Sequence, residues 1–153
     1  MERVFLITVR HTGTRFFLDL IENAINEKHV LLEEPFERPL KPYKLAFAHS
    51  NVRDFKLIEE YIDAFHPLIV VTERDEVETL KSWEKRRRKA KVYAADRERL
   101  LAITRKHETN TVSVDASNRD ELLSALSQKI GVELHTDWSP VGAYGGHGRQ
   151  YVA

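Results

Sequence analysis

The chain has 153 residues, which sizes it for one domain with a substantial core, and its 42% hydrophobic and 31% charged content reads as soluble and globular. Lys plus Arg and Asp plus Glu stand at 24 each, so net charge gives no general argument for nucleic acid or an acidic membrane, and zero cysteines exclude disulfides and thiolate chemistry. No segment approaches the roughly 20 apolar residues of a membrane span, Arg3 and Arg10 bracket the first apolar run, and a cytoplasmic protein is expected.

Val4-Phe5-Leu6-Ile7-Thr8-Val9 predicts a strand over 4–9 that runs straight into Arg10-His11-Thr12-Gly13-Thr14-Arg15-Phe16-Phe17. A helix from 14 to about 27 follows, its stripe being Phe17, Leu20, Ile21, Ala24 and Ile25. Pro35, Pro39 and Pro42 make 33–42 a constrained loop, and a second strand is expected over 44–48. The next helix, about 52–65, turns Phe55, Ile58, Tyr61, Ile62 and Phe65 inward, and leads to a strand over 68–72. Asp75 is placed to cap a helix reaching about 90, and another covers roughly 94–106. After a strand over 111–114, Ser117 or Asn118 can cap a last helix through Leu122, Leu123, Leu126 and Ile130, with Gly131 as its stop. The tail, 137–153, holds four of the six glycines, at Gly142, Gly145, Gly146 and Gly148, and reads as a loop. The alternation predicts a single α/β domain over 1–153: three layers, a mostly parallel sheet of about four to five strands, helices on both faces.

In an open parallel sheet, ligands bind beyond the carboxyl ends of the strands. The residues just after the first three expected strands are Arg10 and His11, His49 and Ser50, and Arg74 and Asp75. Around Gly13 the backbone can approach a ligand closely, and the first free amides of the following helix suit a phosphate or sulfate. This is not a Walker loop, because Gly-x-x-x-x-Gly-Lys-Ser/Thr is missing. A helix starting at Asp75 brings Ser82, nearly two turns on, to the side of its own beginning, so Arg74 and Ser82 are positioned to grip one phosphate from two sides.

These motifs resemble the nucleotide-dependent sulfotransferases, the P-loop-like family that uses 3′-phosphoadenosine 5′-phosphosulfate. The match covers residue 3 to about residue 131 in the family's order. His11-Thr12-Gly13-Thr14-Arg15-Phe16 resembles the family's 5′-phosphosulfate loop. Leu68-Ile69-Val70-Val71-Thr72-Glu73-Arg74-Asp75 with Ser82-Trp83 resembles its 3′-phosphate motif, with the same Arg-to-Ser spacing of eight, and His49 falls where several branches carry a catalytic base.

The resemblance implies that Thr12, Gly13 and Thr14 hold the 5′ phosphosulfate, with Phe16 near the adenine. Arg74 and Ser82 would hold the 3′ phosphate, and part of 142–149 would close over it, although the family's Arg-Lys-Gly start is absent. His49 would be the general base, sulfonate would pass to an unknown hydroxyl or amine acceptor, and no metal is implied. His11 stands where the family has a lysine or arginine that stabilises charge on the leaving phosphate; Arg10 or Arg15 are the substitutes. That departure leaves open a noncatalytic adenine-nucleotide-binding module of the same fold. A kinase-like phosphoryl-transfer protein is the other alternative, disfavoured by the missing Walker lysine.

Each of these residues also has an ordinary reading: His49 as a satisfied polar group, Arg74 paired with Glu73 or Asp75, Ser82 as an exposed helix residue. Lys85-Arg86-Arg87-Arg88-Lys89-Ala90-Lys91 reads first as the solvated end of the helix begun at Asp75, and nucleic acid is not expected, since no interleaved aromatics offer base stacking. His107, His135 and His147 lack metal-ligand spacing.

Overall fold

A computed structural model describes residues 2–9, 29–32, 34–39 and 43–115, together with 124, 127 and 128. They belong to an α/β fold built on a five-stranded sheet that is buried on both faces, as in a three-layer architecture. The strands are β1 (Glu2–Thr8), β2 (His29–Leu31), β3 (Leu45–Asn51), β4 (Leu68–Glu73) and β5 (Thr111–Asp115). All pairings are parallel and the order is β2-β3-β1-β4-β5, so β1 lies at the centre. The described helices are α1 (Phe55–Phe65), α2 (Glu76–Lys85) and α3 (Ala90–Lys106), with a short 3-10 turn over Glu108–Asn110.

A strand covered on both faces reads as a continuous apolar run. On β1, Phe5, Ile7 and Val9 belong to one core with Ala46 and Ala48 of β3 and Ile69 and Val71 of β4. Ile58, Tyr61 and Ile62 of α1, Trp83 of α2, and Tyr93, Leu100 and Ile103 of α3 complete that core, so all three helices pack on this face. The alternate residues Val4, Leu6, Phe47 and Val70 are buried as well, so the opposite face is also covered. Each such side chain contributes about 1.5–3 kcal/mol on burial.

Several boundaries differ from the sequence expectation. β2 was not foreseen, because three half-buried residues carry no readable period. The strand expected over 44–48 continues to Asn51, since its ladder with β1 runs on to the Thr8 and Asn51 pair. Phe55 and Phe65, expected inward, are 43% and 37% exposed, because the helix outruns the core at both ends. Phe65 is partly roofed by the Arg3 guanidinium, 3.8 Å from its ring centroid, and by Phe36.

The helix capped by Asp75 stops at Lys85 rather than near 90. Asp75 does cap it, accepting from the Glu78 amide at 3.0 Å. At the other end Arg87 takes a left-handed backbone, φ 56°, and the amides of Arg88 and Arg87 return to the carbonyls of Trp83 and Glu84 at 2.9 and 2.8 Å. That double bond pattern closes a helix, usually around glycine. The basic run is therefore the turn joining α2 to α3, and α3 begins at Ala90 instead of 94. The helices expected over 14–27 and 117–130 lie outside the described residues, apart from Ser124, Ser127 and Gln128, which are helical.

Candidate functional site at the carboxyl edge of the sheet

β3 and β4 flank β1, and two of the sequence motifs, at His49 and Arg74, lie at their carboxyl ends. Side chains alternate along each strand, so His49, Thr8 and Thr72 fall on one face in neighbouring strands, the face opposite α1, α2 and α3. Thr8 and Thr72 are each 1% exposed. The Thr8 hydroxyl shares a hydrogen bond of 2.9 Å with Nε2 of His49. Burial pushes the His49 imidazole below its ordinary value of 6.5, against a smaller upward pull from the Asp54 carboxylate. The ring is therefore neutral near pH 7, which leaves one nitrogen with a lone pair.

His49 lies within β3 rather than in the loop beyond it, so its backbone is held by the sheet. Ser50, its neighbour, turns to the helix face, where its hydroxyl meets the Asn51 carbonyl at 3.2 Å and an Asp54 carboxylate oxygen at 3.4 Å. The turn after β3 is held at several points. Val52 donates its amide to the Thr8 carbonyl at 2.9 Å, and the Asn51 side chain accepts from the Arg53 amide at 3.0 Å.

Arg74 is partly buried and sits directly between β4 and the Asp75 cap. Two strand spacings separate β4 from β3, roughly 10 Å, a span suited to one ligand crossing β1. Ser82 is half-buried on α2, seven residues after the Asp75 cap. Its hydroxyl accepts a hydrogen bond from Arg86 at 2.9 Å, which sets a guanidinium beside Ser82. Sequence reasoning missed Arg86 as an individual; its signal was the i, i+4 spacing to Ser82, hidden inside a run of cations.

No protein-family model matches the chain, and no curated protein and no solved structure matches it. Arg10, His11, Thr12, Gly13, Thr14, Arg15 and Phe16 lie outside the described residues, as does the tail over 137–153. Among the described residues no group of three potential metal ligands comes together, and no helix is long and apolar enough to cross a membrane.

Proposed function

We propose that the chain binds 3′-phosphoadenosine 5′-phosphosulfate across the carboxyl edge of β3, β1 and β4 and passes its sulfonate group to an acceptor hydroxyl or amine. The observation that carries this reading is that His49 and Arg74 stand at the carboxyl ends of β3 and β4, the two strands that flank β1. In this reading Arg74 and Ser82 hold the 3′ phosphate and Arg86 adds charge beside Ser82; guanidinium and hydroxyl donors are what such a group needs. Thr12, Gly13 and Thr14 hold the 5′ side, and Arg10, His11 and Arg15 supply its positive charge.

His49 is available for general-base work because burial keeps its ring neutral near pH 7 and Thr8 holds the ring in place. With Nε2–H donated to Thr8, Nδ1 keeps the lone pair and takes the acceptor's proton. The acceptor oxygen or nitrogen then forms its bond to sulfur while the bond from sulfur to the bridging phosphate oxygen breaks, and that oxygen leaves with the electron pair. Loop amides at the first strand's end stabilise the charge it acquires.

Thermal unfolding with adenosine 3′,5′-bisphosphate and, separately, ATP tests the reading. The bisphosphate should stabilise the chain by about 2.7 kcal/mol at 100 times its dissociation constant, with ATP binding far more weakly. Equal stabilisation by both would remove the 3′-phosphate pocket. Tight bisphosphate binding without transfer to any acceptor would favour the noncatalytic module, with His11 as the residue responsible.

A further inference from the structure

The turn after β3 also carries a cluster that none of the sequence motifs uses. Asp96 of α3 is wholly buried, its side chain 1% exposed, on the helix face that holds Tyr93, Leu100 and Ile103. A buried carboxylate needs charged partners. It has two: Arg53 donates through Nε to one carboxylate oxygen at 2.9 Å, and Arg99 donates through Nη1 to the other at 3.3 Å. The Arg53 guanidinium also lies 5.8 Å from the ring centroid of buried Trp83.

Two cations on one anion leave an excess positive charge. The described contacts of Arg53 run through Nε and the guanidinium face, and those of Arg99 through Nη1. The two side chains are 34% and 50% exposed. Both guanidinia are thus held by a carboxylate that solvent does not reach, while the side chains that carry them remain partly exposed.

We infer that Arg53 and Arg99 form a binding site for a phosphate dianion, with Asp96 as the positioning residue between them. Tetrahedral phosphate offers acceptor oxygens in several directions, which suits donors supplied by two separate side chains. Its charge offsets the local excess. Arg53 lies in the turn leaving the carboxyl end of β3, and its described contacts are with Asp96 and the Trp83 ring, so the proposed site rests on those contacts and not on the nucleotide reading.

The full chain, labelled with nitrogen-15, is titrated with inorganic phosphate and separately with glycerol 3-phosphate, at constant ionic strength kept by chloride. Saturable shifts are expected at the Arg53 Nε–H and at the amides of residues 51–54 and 96–99. Arg53→Lys and Arg99→Lys keep the charge but lose the planar fork, and each should weaken binding by about tenfold. Asp96→Asn raises the local positive charge, yet should also weaken phosphate binding, because the guanidinia lose their common anchor.

Tighter binding of either probe supports the site and tells whether a free phosphate or a monoester is its guest. Absence of saturable shifts, lysine variants that bind as the parent does, or tighter binding by Asp96→Asn would each reduce the cluster to a structural latch. Lys89→Ala, in the neighbouring turn, serves as the charge control. Loss of binding there equal to that in Arg99→Lys would also overturn the proposal, since only diffuse charge would then be at work.

Discussion

The hydroxyl of Thr8 and the Nε2 of His49 meet at 2.9 Å between the central strand β1 and its neighbour β3, one of them fully buried and the other at the edge of solvent. Thr8→Val keeps the shape and removes the only hydroxyl on that side chain. Leaving the Nε2 of this half-buried imidazole without its protein partner should cost about 1 kcal/mol of unfolding free energy, read from urea midpoints at pH 7. A change below about 0.5 kcal/mol would mean that water replaces the hydroxyl at no cost.

The same histidine makes stability depend on pH. Its folded-state value is depressed below 6.5, so the contribution is full above 6.5. As pH falls below that point the unfolded chain takes up the proton first, and stability is lost down to the lower folded value. Comparing parent with His49→Asn from about pH 7 to pH 5, the variant should show the shallower loss. Equal slopes would assign the acid sensitivity elsewhere.

For transfer, His49→Ala should lose roughly 10²–10⁴ of the rate while binding adenosine 3′,5′-bisphosphate almost as well as the parent. Asparagine at this position should not restore the rate. A screen of phenols, sugars, nucleosides and amines with labelled sulfonate supplies the acceptor, and normal turnover by His49→Ala would sink the mechanism.

Arg74→Ala separates binding from folding in the opposite way. The residue follows β4 and is only partly buried, so the core tolerates its loss, whereas affinity for the bisphosphate should fall by about 2 kcal/mol or more. Calorimetry measures the first quantity and urea unfolding the second. Unchanged affinity would make Arg74 an ordinary surface cation.

At Arg87 the left-handed backbone, φ 56°, costs an L-residue about 1–2 kcal/mol that glycine does not incur. Arg87→Gly should therefore raise the unfolding free energy, by up to about 1 kcal/mol after the entropy of the freer unfolded chain is deducted. If stability falls instead, the arginine side chain contributes more to this turn than its backbone costs.

The parallel sheet was legible because its strands announce themselves as apolar runs: Leu68-Ile69-Val70-Val71 has no other plausible reading. The Asp75 cap was legible for the same local reason, a side chain answering amides three residues away. What escaped was set by tertiary context. β2 exists because His29, Val30 and Leu31 pair with β3, and the helix break at Lys85 lies in backbone geometry at Arg87, inside a run that composition made look continuous. Arg53 and Asp96 are 43 residues apart, on different elements, and neither has a spacing that betrays the other.

Arg3 donates to the Tyr61 hydroxyl at 3.0 Å and lies against Phe65, with Phe36 closing the group, all near the amino end of β1. This gives the sheet two poles of different character, an aromatic plug at one and a fringe of ionisable groups at the other. Mutational tolerance should therefore be polar along the strand axis. Changes at the plug would register as altered half-life and expression, and changes at the fringe as altered ligand response, so a library scored on both readouts would sort its hits by height along β1.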